Sequence, residues 1–205
     1  MEHSYSFERL PKDLQDKFEI YRKTLIKWNS HINLVSKTTL SKFWTRHFED
    51  SLQLFPFIRG ERVLDVGSGA GFPGMILAMA GQSPEFLEQE HRSPFRVDCI
   101  DSDVRKIMFL NEIARLTATI VYIIYIRVEQ LSFHYDTAVA RGFASLKDSL
   151  KLMAKTSDYF VFLKGEKFQE EIEEAQKCFK FDYQVYDSCT DSRGKIITIT
   201  SPRAI

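Results

Sequence analysis

Residues 63–74 read VLDVGSGAGFPG, an apolar run that ends near an acid and passes directly into Gly67, Gly69, Gly71 and Gly74. A strand that enters a glycine turn and then a helix is the opening unit of a doubly wound sheet. There, glycine lets backbone come close to a ligand at the carboxyl ends of the strands. The flanking sequence agrees. Short apolar runs at 62–66, 96–100, 120–126, 136–140 and 159–163 alternate with helical patterns from 71, over 104–116, from 145 and from 166. Two more strand-like runs follow at 181–186 and 195–200. This βαβα repetition predicts an α/β fold with a mostly parallel sheet and helices on both faces.

About sixty residues precede that unit, and their period is helical. Leu14, Phe18, Tyr21, Leu25 and Trp28 step by four and three along one face, with Pro11 suited to a first turn. A second helix is predicted over 39–55, with Leu40, Phe43, Trp44, His47, Phe48, Ser51 and Leu52 as its stripe. We therefore divide the chain into a helical, basic N-terminal extension, 1–58, and a core, 59–205. The stretch 82–95 is too long and polar for an ordinary connection, which predicts a surface insertion.

A chain of 205 residues with 44% hydrophobic side chains suits one buried core. Lys plus Arg and Asp plus Glu balance at 28 each, but their distribution is uneven. Arg22, Lys23, Lys27, Lys37, Lys42 and Arg46 fall in a span, 20–48, that holds no carboxylate, which predicts a positive face. Cys99, Cys178 and Cys189 are scattered, so neither a disulfide framework nor a metal site is expected. The polar start and the lack of an apolar run of roughly 18 residues predict a cytoplasmic protein with no membrane contact.

The glycine loop itself fits two templates. From Gly69 it satisfies G-x-G-x-x-G, the dinucleotide fingerprint, which would make the chain an NAD-dependent oxidoreductase. From Asp65 it reads D-x-G-x-G-x-G, which looks like the first motif of S-adenosylmethionine-dependent methyltransferases. A dinucleotide brings an anionic diphosphate, whereas S-adenosylmethionine is a sulfonium cation with a carboxylate tail, for which an acid at Asp65 is sensible. Asp101, at the end of the next strand-like run, suits ribose hydroxyls in both cases. The location of the loop, after sixty helical and basic residues, favours the methyl donor.

Several motifs occur in a fixed order: WNSHINLVS at 28–36, RHFEDSL at 46–52, LDVGSGAGFPG, RVEQL, ARGFASL and FLKG. Together they resemble the RsmG (GidB) family of 16S ribosomal RNA guanine-N7 methyltransferases, over about residues 25–164. The resemblance implies a Rossmann-like class I methyltransferase fold with S-adenosylmethionine as cofactor. It also implies 16S ribosomal RNA or the small ribosomal subunit as partner. Carried across by position, Gly67 and Phe72 look like cofactor contacts beside Asp65, Gly69 and Asp101. Val128 and Glu129 are similar to the pair that meets the adenine, and Arg141 to the arginine that closes the site.

The chemistry fits what the chain lacks. Guanine N7 has a lone pair and no proton, so its methylation needs alignment and no general base. Methylation at a pyrimidine C5 would need an activated cysteine. An exocyclic amine would call for an Asn-Pro-Pro-Tyr-like turn where this chain reads RGFAS. Arg141 is the expected catalytic residue, on the cofactor side, because a cation bonded to N7 would block the attacking atom. Arg46, His47 and Lys164 are candidate RNA contacts. Each has a plainer reading: His47 a core histidine, Lys164 the end of a strand, the cationic run a solvated helix face. Phe72 as a core aromatic, Glu129 as a solvated residue opening a helix, and a non-catalytic RNA-binding module on the same fold remain alternatives. A monomer is expected.

Overall fold

The computed structural model describes residues 5–205. The first four residues of the expected extension lie outside them. Seven strands, β1 (Arg62–Val66), β2 (Arg96–Asp101), β3 (Tyr122–Tyr125), β4 (Thr137–Arg141), β5 (Tyr159–Lys164), β6 (Phe179–Asp187) and β7 (Lys195–Ala204), form one sheet in the order β3-β2-β1-β4-β5-β7-β6. The pairs among β1 to β5 are parallel, and β7 runs antiparallel between β5 and β6. β1 has β2 on one side and β4 on the other, so the order reverses there. That is where an open α/β sheet leaves a crevice at its carboxyl edge. The central strands β1, β2 and β5 are buried on both faces, and β5 accordingly reads as a continuous apolar run, Tyr159 to Leu163, rather than an alternating one.

The helices are α1 (Lys12–Asn29), α2 (Lys37–Leu40), α3 (Asp50–Leu52), α4 (Gly74–Ala80), α5 (Pro84–Gln89), α6 (Val104–Thr117), α7 (Leu146–Met153) and α8 (Phe168–Gln176). Two apolar clusters sandwich the sheet. Leu14, Phe18, Tyr21 and Leu25 of α1 join Val63, Met75 and Leu110 on one face. Leu64, Val66, Leu146, Leu150 and Ile172 share the other. The stripe expected on α1 is therefore present, and the N-terminal extension is built into the core of the sheet domain rather than appended to it. Asp103 caps α6 by accepting from the Arg105 amide at 2.9 Å.

Two expectations need correction. The helix expected over 39–55 is broken: α2 ends at Leu40, residues Trp44–Glu49 wind as a π-helix, and α3 follows. Its apolar stripe is nonetheless buried at Phe43, Phe48 and Leu52. Wide π turns occur frequently beside functional sites, and this one carries Arg46 and His47. The stretch 82–95 is also no mere surface insertion. Ser83 accepts from the Phe86 amide to start α5, whose Phe86 and Leu87 are buried, as is Phe95, while Glu85 and Glu88 face solvent. Its charges made it look like a loop, but an amphipathic turn of helix puts its apolar residues against Phe55 and Tyr5.

Candidate active site

Between β1 and α4 the chain turns through Gly67, Gly69 and Gly71 at φ of +67°, +58° and +85°. Side chains are disfavoured in that region. A Cβ on Gly67 would also lie 2.5 Å from Cδ2 of Phe143. The turn is pinned from several sides: the Ser68 amide donates to the Ile100 carbonyl at 3.0 Å, and the Tyr21 hydroxyl donates to the Ala70 carbonyl. The Gly69 amide donates to Asp101 Oδ2 at 2.9 Å.

Beneath the turn lies Asp65, 1% exposed. Its Oδ2 accepts from the Gly74 amide at 3.0 Å, and its Oδ1 has no partner. Burial pushes its pKa up to about 6, opposed by hydrogen bonds from Ser68 and Gly74. This placement bears on the choice of ligand. A dinucleotide site presents its glycine turn and the following helix start to a diphosphate, whereas here the first amide of α4 is already taken by a buried carboxylate.

A cavity of about 340 Å3 opens where β1, β2 and β4 end, within the range of small-molecule sites. Gly67, Asp101, Val128 and Glu129 line it together, over an apolar floor that includes Ile100, Ile126 and Phe143. Asp101 Oδ1 accepts from the Asp103 amide at 2.8 Å, and Lys106 Nζ stands 3.6 Å from Oδ2. Val128 is buried and Glu129 exposed on one 3-10 turn, Val128–Gln130. Asp101 and Glu129 balance Lys106 and Arg127 on the lining, so the cavity offers no excess of positive charge for a diphosphate. Its apolar floor and carboxylates suit a nucleoside carrying a cationic centre.

Phe72 and Arg141 stand elsewhere. Phe72, 4% exposed, is stacked between His47 at 4.8 Å and Tyr21 at 5.3 Å between ring centres, so its side chain belongs to the core and not to the cavity. Neither Asp65 nor Gly69 lines the cavity either, although Gly69 reaches it through Asp101. Arg141 turns away from the expected cofactor side into a second cavity of about 260 Å3. Gly142, at φ +61°, follows it, and Phe143 faces the first cavity. The Arg-Gly-Phe turn is thus the partition between the two.

The second cavity gathers the three expected RNA contacts, Arg46, His47 and Lys164, with Arg141, which was expected on the cofactor side. Arg141 Nη1 donates to Asp50 Oδ2 and to the Arg46 carbonyl, each at 2.9 Å, and its guanidinium carbon lies 5.1 Å from the Phe72 ring centre. Arg141 Nη2 lies 3.3 Å from His47 Nδ1, while His47 Nε2 lies 3.1 Å from Thr39 Oγ1. A guanidinium has no acceptor, so Nδ1 accepts and Nε2 carries the proton. Burial pushes the His47 pKa down to about 3, helped by the neighbouring Arg141 and Arg46 charges. Lys164 donates to the Ala144 carbonyl at 2.6 Å and to Glu171 at 2.8 Å. With only 9% of its side chain exposed, it ties β5 to α8 and has no reach outward. Arg46 pairs with Asp191 at 2.6 Å across 145 residues of sequence.

The family described as rRNA small subunit methyltransferase G (GidB) matches residues 14–198. The chain belongs to this family. A ribosomal RNA small subunit methyltransferase G of Orientia tsutsugamushi is 39% identical over 188 residues, covering 90% of this chain and 89% of that protein. The protein of the same name from Rickettsia felis is 34% identical over 196 residues, covering 94% and 96%. Among solved structures, magnesium protoporphyrin IX methyltransferase from Synechocystis, with S-adenosylmethionine bound, aligns with a TM-score of 0.59 at 13% identity, over 94% of this chain and 99% of that one. A class I methyltransferase from Listeria monocytogenes aligns with a TM-score of 0.57 at 12% identity, over 97% and 71%. These two share the fold. Family membership settles the choice left open by the glycine loop: this GidB-family chain is a methyltransferase that uses S-adenosylmethionine, and the oxidoreductase alternative falls.

Some residues escaped the sequence. Phe143 lies in the same RGFAS motif as Arg141, so the motif itself held the signal. Asp50 is within RHFEDSL, beside His47. Asp191 and Ser188, which wall the second cavity, come from the loop before β7, and no motif marks them.

Proposed function

We propose that this GidB-family methyltransferase transfers the methyl group of S-adenosylmethionine to N7 of one guanine in 16S ribosomal RNA, as a cytoplasmic monomer acting on the RNA or the small subunit. S-adenosylmethionine supplies an electrophilic methyl on a sulfonium. When the N7–carbon bond forms, the sulfur–carbon bond breaks, S-adenosylhomocysteine leaves, and no proton has to move.

The reading is carried by the second cavity, where, among the described residues, the imidazole is held neutral and both carboxylates are already ion-paired. Gly67, Asp101, Val128 and Glu129 would hold the donor in the first, with the Asp101 carboxylate taking ribose hydroxyls. The second would admit the base. His47 has both ring nitrogens engaged and is held neutral, and Asp50 is occupied by Arg141, Gln53 and Thr190. Such a site aligns and does not deprotonate, which suits N7. Arg141 would then act by holding the base cavity in shape. The exposed Lys37 and Lys42 flank Thr39 and Arg46, which border the second cavity, and offer a positive approach to it.

The test is to map N7-methylguanine by chemical cleavage in 16S ribosomal RNA from cells with and without the gene, and to restore it with purified protein and S-adenosylmethionine. One site should vanish and return. An unchanged cleavage pattern, or stabilisation of the protein by NADH and none by S-adenosylhomocysteine, overturns the proposal.

A further inference from the structure

We propose that Asp191 and Arg46 read the Watson–Crick edge of the target guanine in the second cavity, so that the loop before β7 sets base specificity. The inference rests on the reading above that the second cavity admits the base.

The composition of the cavity selects its ligand. Its cations Arg46 and Arg141 are matched by carboxylates Asp191 and Asp50, and its Lys164 by Glu171. A phosphate would find no surplus positive charge. A neutral planar group with donors beside an acceptor would find partners for both. Guanine has such an edge: N1–H and the N2 amine donate, and O6 accepts.

Of the two carboxylates, only Asp191 has two acceptor positions to spare, since Asp50 has three of about four taken. Asp50 Oδ2 accepts from Arg141, and its Oδ1 accepts from both Gln53 Nε2 at 2.9 Å and Thr190 Oγ1 at 2.7 Å. Asp191 accepts the Arg193 amide on Oδ1 at 3.0 Å and Arg46 Nη1 on Oδ2. A carboxylate offers about four acceptor positions, so two remain, the number that N1–H and N2–H require. The Arg46 hydrogen bond engages only Nη1 of its guanidinium fork, which leaves other N–H groups for O6. The pair is also accessible, with Arg46 39% and Asp191 25% exposed, unlike Lys164 and Asp50. Adenine reverses the pattern, setting the N1 lone pair against the carboxylate. In the purine, N7 lies across the ring system from N1 and N2, so holding that edge leaves the nucleophile uncovered.

The experiment uses two RNAs that differ only at the mapped position, one with guanine and one with inosine, which keeps O6, N1–H and N7 but lacks the N2 amine. Methylation rates are compared for the wild type, Asp191→Asn and Asp191→Ala. The wild type should prefer guanine about tenfold or more, and both variants should lose most of that preference. Because the ratio is taken within each variant, a general loss of stability cancels; intact binding of S-adenosylhomocysteine confirms the fold. Equal wild-type rates on the two RNAs, or a wild-type ratio retained in Asp191→Ala, overturns the assignment. Failure of the wild type to methylate either RNA would instead overturn the underlying functional reading.

Discussion

His47 accepts a hydrogen bond from Arg141 through Nδ1 at 3.3 Å, which fixes the imidazole as the neutral Nε2–H tautomer. Its folded-state pKa of about 3 lies below the ordinary 6.5. Between these values the unfolded chain holds a proton that the folded chain does not, so stability is full above the unfolded value and is lost as pH falls.

Urea unfolding of wild type and His47→Asn, which keeps an acceptor near Nδ1 but cannot titrate, checks this. Between about pH 7.5 and about pH 5 the wild type should lose about 2 kcal/mol more than the variant. Parallel curves for the two proteins would show that His47 is not held neutral.

Asp65 has the opposite sign. Its folded pKa, about 6, lies above the ordinary 3.8, so the folded state binds a proton first and stability declines as pH rises through that window. Against Asp65→Asn, the wild type should lose about 1 kcal/mol of relative stability between about pH 5 and about pH 7. His47 and Asp65 therefore oppose each other in mild acid. The wild type alone should show a shallow profile there, and each variant should unmask the other slope.

Arg141→Ala leaves Asp50, 14% exposed, without its ion partner. We expect a loss of about 2 kcal/mol in stability and about 100-fold in methylation rate, since the wall of the base cavity collapses. In Arg141→Ala/Asp50→Ala much of the stability should return while activity does not. Strict additivity of the two single changes in unfolding experiments would deny the coupling.

Gly67→Ala combines a left-handed φ with a Cβ 2.5 Å from Phe143. Calorimetry with S-adenosylhomocysteine should show binding weakened about tenfold or more. Adding Phe143→Ala removes the contact but not the backbone strain, so recovery should be partial. Full affinity in Gly67→Ala would mean that the turn does not shape the donor cavity.

The parallel sheet and the glycine turn were legible because they depend on local pattern: runs such as VLDV are buried on both faces, and Gly67 must adopt a conformation that few residues tolerate. The same locality limited the rest. Strand ends place Arg141 and Phe143 at the carboxyl edge, but the positive φ of Gly142 decides that they part to opposite cavities. Phe72 looked like a ligand contact because it sits in the motif, whereas its stacking on His47 and Tyr21 depends on partners far away in sequence. Lys164 presented a charge whose neutralisation by Glu171 only packing reveals. Asp191, paired with Arg46 from the other end of the chain, left no local trace.

The insertion of β7 between β5 and β6 has a consequence for biosynthesis. Everything that walls the donor crevice has emerged by Leu152, whereas the chamber beside it waits for Ser188, Asp191 and Gly194. On the proposed assignment of the two cavities, a nascent polypeptide holds every residue of the donor compartment before those of the target compartment, and transfer competence waits for the last hairpin.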